Sequence, residues 1–170
     1  MPIDKATKFY LTDKPDIPKG MFKEIKKEGV LTGSYLFGGW KEDSDVDVLL
    51  HPKYHKKYSQ LIEMGYACYT NTDYCNGDED IKFLSLYVKH ANKVINLIVF
   101  NYIDEYEKYL YATKALKQMA GIKEFDDAML VKSYRVKLFE FFKDVSPQGI
   151  SDNVYDRAKN YKGTGEDVPF

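Results

Sequence analysis

The stretch from Leu31 to Leu50, Leu-Thr-Gly-Ser-Tyr-Leu-Phe-Gly-Gly-Trp-Lys-Glu-Asp-Ser-Asp-Val-Asp-Val-Leu-Leu, constrains this chain more than any other. Its second half reads as a strand over 44–51, ended by Pro52. Successive side chains of a strand point to opposite faces, so Asp45 and Asp47 share one face while Val46, Val48 and Leu50 turn to the other. Two carboxylates held side by side repel each other unless a cation or a proton intervenes. Oxygen ligands of this kind suit Mg2+ or Mn2+, particularly where phosphate oxygens complete the shell.

The other half of the pattern lies upstream. Val30 to Thr32 reads as a short strand that runs into Gly33-Ser34. Glycine there lets the backbone approach a ligand closely. Ser34 is expected to cap a following helical turn, whose amides favour a phosphate. A Gly-Ser pair alone usually marks a turn, and Asp-x-Asp alone is commonly a solvated strand end. In order, ten residues apart and each tied to a strand, the two are far more specific. A cation site facing a phosphate cradle is the equipment for phosphoryl or nucleotidyl transfer.

The remaining pattern supplies a frame for this pair. A first helix opens at Asp16 or Pro18, with Met21, Phe22 and Ile25 as its apolar stripe and Gly29 as its stop, after an irregular lead-in over 1–14. A helix over about 53–64 closes at Gly65, and a strand is expected at 66–70. After a polar loop, Ile81–Lys89 and Lys93–Phe100 are two β-rich runs separated by a turn at Ala91-Asn92, a hairpin. Two amphipathic helices follow over 103–119 and 126–142, broken at Gly121; Leu138, Phe139, Phe141 and Phe142 in the second are expected in the core. This order predicts an α+β domain with a mixed or mostly antiparallel sheet, flanking helices and two C-terminal helices. The domain is expected over residues 1–145, followed by a polar tail over 146–170 rich in turn residues.

Composition narrows the partners. With 25 basic and 26 acidic residues the net charge is -1, which argues against general DNA binding or a polybasic membrane contact, since both need a strong positive field. Cys68 and Cys75 are too few for a disulfide framework, no signal peptide is evident, and the apolar run Leu97–Phe100 is far too short to span a bilayer. A cytoplasmic setting is expected.

The Gly-Ser pair followed by Asp-Val-Asp-Val resembles the signature of the DNA polymerase beta-type nucleotidyltransferases. The elements from about 20 to 142 suit that family's minimal fold. The chain is also similar to small nucleotidyltransferase-like proteins of tailed bacteriophages, through Ile95-Asn96-Leu97-Ile98-Val99 and Lys132-Ser-Tyr-Arg135-Val-Lys-Leu-Phe139. The resemblance implies transfer of an NMP group from an NTP to a hydroxyl acceptor on a small molecule, protein or RNA. It implies Asp45 and Asp47 as ligands of Mg2+ or Mn2+, Gly33 and Ser34 on the β/γ phosphates, and Lys132 and Arg135 on the triphosphate. Without the resemblance, Lys132 and Arg135 share a helix face that reads as solvated.

In that superfamily a third acidic residue stands on a later strand beside the first two. Here the strand is 93–100. Ile95, Leu97 and Val99 form its core face, which leaves Asn96 at the site position. Asn offers a neutral carbonyl ligand but no negative charge and no base. Three readings compete: Asn96 serves as a ligand in an active enzyme; Asp78, Glu79 or Asp80 reaches in from the preceding loop; or the protein binds nucleotide, or a protein partner, without turnover. Lys41 reads as a solvated loop residue, and Trp40 either stacks on a base or, the favoured reading, anchors its loop to the core. His51, His55 and His90 are too dispersed for a zinc site.

Overall fold

The computed structural model describes residues 11–70 and 82–147. Five strands, β1 (Val30–Thr32), β2 (Val46–Leu50), β3 (Cys68–Thr70), β4 (Phe83–His90) and β5 (Lys93–Phe100), form one sheet in the order β1-β2-β5-β4-β3. Every neighbouring pair is antiparallel except β2–β5, which is parallel. The sheet is therefore mixed, as the α+β reading anticipated. The helices are α1 (Lys19–Glu28), a single turn α2 (Ser34–Phe37), α3 (His55–Glu63), α4 (Ile103–Met119), α5 (Lys123–Met129) and α6 (Lys132–Asp144).

Side-chain alternation divides the sheet into two faces. Leu31, Val46, Val48, Leu50, Leu86, Val88, Ile95, Leu97 and Val99 form one buried cluster with Ile25 of α1 and Tyr58 and Leu61 of α3. Val30, Leu49, Phe83, Ile98 and Phe100 form the other, against Tyr106 and Leu110 of α4. Burying a side chain of this size is worth roughly 1.5–3 kcal/mol, so both layers hold helices against the sheet. The period-two pattern of β2 and β5 thus places Asp47 and Asn96 on the α4 side.

A buried hydroxyl pair ties α4 to the site edge. Thr113 Oγ1 donates to Tyr109 O at 2.8 Å, so Thr32 Oγ1 of β1 donates in turn to Thr113 Oγ1, also at 2.8 Å. The β4–β5 turn has two residues, with Ala91 at φ 50° and Asn92 at φ 64°, the left-handed pair of a type I′ hairpin.

Several expectations need correction. The strand expected over 44–51 is shorter, and Asp45 lies just before it. The stretch expected as one helix over 126–142 is two, α5 and α6, because Val131 is extended (φ -92°, ψ 116°) and breaks the backbone ladder. Arg135 Nη1 donates to the freed Met129 carbonyl at 2.7 Å, which stabilises that break. The residues of α6 expected in the core are not buried, since this helix lies on α4 rather than on the sheet; Phe141 is largely exposed. The lead-in also does more than trail, since its Leu11 is buried. Asp78, Glu79, Asp80, Cys75 and the tail beyond residue 147 lie outside the described residues.

Candidate active site

The site is built where β1, β2 and β5 lie side by side. In the β1–β2 register Thr32 faces Asp47, and in the parallel β2–β5 register Asp47 faces Asn96. Asn96 Nδ2 donates to Asp47 Oδ1 at 3.1 Å. That orientation leaves Asn96 Oδ1 buried without a hydrogen-bond partner among the described residues.

Gly33 leaves β1 at φ 77°, in the left-handed region, and a Cβ there would overlap the Asp47 carboxylate. Glycine is thus needed twice over, for the turn and for the close approach of backbone to carboxylate. Ser34 does not cap α2, contrary to expectation. Gly33 takes the N-cap position, and Ser34 is the first helical residue. Its Oγ is buried and has no partner among the described residues. A buried hydroxyl left unsatisfied costs roughly 1–3 kcal/mol.

Both aspartates are held above the ordinary carboxylate range. Burial pushes the Asp45 carboxyl above its ordinary range. Burial, followed by repulsion from Asp45, lifts Asp47 to about 7, and the Asn96 amide only partly offsets this. Trp40 braces the loop that carries Asp45, its indole Nε1 donating to Asp45 O at 3.1 Å. Trp40 is therefore an anchor, as its position suggested.

A cavity of about 380 Å³ opens beside Asp47. Thr32, Gly33, Ser34, Asp47, Lys132 and Arg135 line its polar side, and Phe37, Ile98, Tyr109, Val136 and Phe139 its apolar side. The structure thus brings Gly33, Ser34, Asp47, Lys132 and Arg135 to one cavity. Asn96 joins them through its bond to Asp47, and Asp45 through its repulsion of that carboxylate. Lys132 and Arg135 both line the cavity, Lys132 exposed and Arg135 half-buried.

The apolar wall was not foreseen. Tyr109 packs edge-on to Phe139 at 5.4 Å, and Lys143 lies over the Tyr109 ring at 4.2 Å. Burial pushes the Tyr109 phenol up, so it stays neutral. A second overlooked element is Gly39, at φ 80°, where a Cβ would overlap the Arg135 guanidinium. Adjacent Gly38-Gly39 in the sequence was the available signal that a side chain packs on that backbone.

Among the described residues no group of three His, Cys, Asp or Glu converges as a metal site. The oxygens that do converge are the two carboxylates, with the buried Asn96 Oδ1 and Ser34 Oγ close in the fold. All are hard donors, and the charge of the two carboxylates suits a divalent cation with phosphate oxygens.

Residues 18–160 match the nucleotidyltransferase domain family, which covers most of the chain. The chain belongs to this family, and the mixed five-stranded sheet with its helices is consistent with the minimal fold of the polymerase beta-type superfamily. No curated protein and no solved structure matches it. Membership assigns nucleotidyl transfer in general terms and implies a nucleotide substrate. No helix among the described residues is long and apolar enough to cross a membrane.

Proposed function

We propose that the protein is a metal-dependent nucleotidyltransferase that moves an NMP group from an NTP to a hydroxyl acceptor. The observation that carries this reading is the Asp47 carboxylate. It is pressed against Gly33, held by Asn96 and repelled by Asp45, in the same cavity as Lys132 and Arg135. In the reaction the acceptor hydroxyl gives up its proton to solvent, its oxygen bonds to the α-phosphorus, the bond from that phosphorus to the bridging oxygen breaks, and pyrophosphate leaves.

Asp45 and Asp47 would hold Mg2+ or Mn2+, with Asn96 Oδ1 as a neutral third oxygen. A cation there would neutralise the triphosphate and the developing charge on the leaving group. Gly33 and Ser34 receive the β/γ phosphates, with Ser34 Oγ supplying a hydrogen bond that it makes to no described residue. Lys132 offers a point charge. Arg135, which spends one Nη1 contact on Met129 O, offers the rest of its guanidinium fork. Tyr109 and Phe139 give the nucleotide an apolar, water-excluding wall.

Asn96 favours a second reading, a nucleotide-binding protein without turnover. An amide in the third position brings no charge and takes up no proton from the attacking hydroxyl. Pyrophosphate release from each NTP with Mg2+ or Mn2+, over a panel of hydroxyl acceptors, separates the two. Release that disappears in Asp47→Asn supports transfer. Nucleotide binding without any release supports the second reading.

A further inference from the structure

A second opening lies on the other face of the sheet, between α1 and the β4–β5 turn, with a volume of about 470 Å³. Its floor is aliphatic: Leu31, Val46, Val48 and Ile95. None of its lining residues is shared with the Asp47 cavity, and strand alternation separates the two, since Val46 and Val48 face this side while Asp47 faces the other. Phe22 forms one wall, its ring stacked on His90 at 3.9 Å, and Tyr35 forms another.

Two cations stand at this apolar groove. Lys26 lies over the Phe22 ring at 5.3 Å, and Lys93 lies over Tyr35 at 5.1 Å and Trp40 at 5.9 Å. Lys93 Nζ also donates to Tyr35 Oη at 3.4 Å. Neither lysine makes an ion pair among the described residues. His90 Nδ1 is buried at the same wall and has no partner among them. An aliphatic floor with two uncompensated ammonium groups and an unused ring nitrogen is complementary to an apolar body carrying one anionic group.

We propose that this groove binds a small amphipathic anion, an apolar ring or chain bearing one carboxylate, sulfonate or phosphate. The body rests on Leu31, Val46 and Ile95. The head group lies between Lys26 and Lys93. The enclosed volume suits a small molecule, in the range of about 300–1,000 Å³ common for ligand pockets. The site is separate from the nucleotide cavity and does not depend on the transfer reaction.

The test uses the full chain and two fluorescent probes of the same aromatic body, anilinonaphthalene sulfonate and the uncharged N-phenyl-1-naphthylamine. The sulfonate is expected to bind at one saturable site, more weakly at high salt. Lys26→Gln with Lys93→Gln should weaken it about tenfold, the size expected for losing two partly exposed charge contacts, and leave the neutral probe unchanged. Tyr35→Ala should weaken both probes. Phe139→Ala, in the nucleotide cavity, should change neither. Melting temperatures equal to wild type in the lysine variants keep a binding loss from being read as unfolding. Sulfonate affinity that survives the double lysine change, or that falls in Phe139→Ala, overturns the proposal. So does a dimer that the sulfonate dissociates, which would assign the groove to a second copy of the chain.

Discussion

Replacing Asp47 by Asn should stabilise the metal-free protein at neutral and alkaline pH while removing its transfer chemistry. The carboxyl rises from an ordinary value of 3.8 to about 7, with burial as the main cause and Asp45 repulsion as the second. An acid whose folded pKa is raised holds more protons folded than unfolded between those two values. Stability therefore falls as pH climbs through that window and levels off above about 7. At ~1.4 kcal/mol per pKa unit the full penalty is about 4 kcal/mol. Asp47 borders the open cavity, and water there screens the charge, which reduces the expected gain to about 2 kcal/mol. Asn keeps the oxygen that accepts from Asn96 Nδ2, so the local hydrogen bond survives. For a chain of this size the gain is a rise of roughly 4–8 °C in melting temperature. Melting curves of both proteins in chelator, from acid to mildly alkaline pH, measure it. The curves should converge below about pH 4 and separate toward pH 8. A gap that does not change with pH, or an Asn variant that melts lower at pH 8, refutes the reasoning.

Gly33→Ala should destabilise the protein by about 2 kcal/mol or more, because its backbone is left-handed and the new methyl meets the Asp47 carboxylate; nucleotide binding should fail with it, as urea denaturation and a binding titration would show. Ala91→Gly should stabilise by about 1 kcal/mol, since Ala91 holds a left-handed conformation at φ 50° that glycine adopts freely; urea denaturation reads the shift directly. Thr113→Val should cost about 1–3 kcal/mol by stranding the buried Thr32 hydroxyl, with little change in fold by circular dichroism.

The parts of this molecule set by local periodicity could be read before any coordinates. The alternation in β2 and β5 placed Asp47 and Asn96 on one face because each strand has one side-chain period and two well-populated apolar faces. The turn at Ala91-Asn92 followed from two β-rich runs with two residues between them. What escaped depended on contacts between distant segments. The α5–α6 break carries no Gly or Pro; it is held by Arg135 reaching back to Met129 O, a bond that spacing does not announce. Phe139 has the apolar character of a core residue, yet its helix packs on α4 and α5 rather than on the sheet, so it lines a cavity instead. Ser34 was expected to cap a helix because its type favours that role, but the positive φ of Gly33 moved the cap back by one residue.

Thermal stability with each NTP, with and without Mg2+ or Mn2+, on wild type and on Asp45→Asn/Asp47→Asn, tests most directly whether the aspartate pair and Gly33-Ser34 form a nucleotide–cation site. A ligand specific to the folded state at a hundred times its Kd adds about 2.7 kcal/mol, enough to move the transition by several degrees. The expected result is stabilisation by a nucleotide that requires the divalent ion and is lost in the double variant. Nucleotide stabilisation that persists in the double variant, or no shift with any nucleotide and metal, would contradict it.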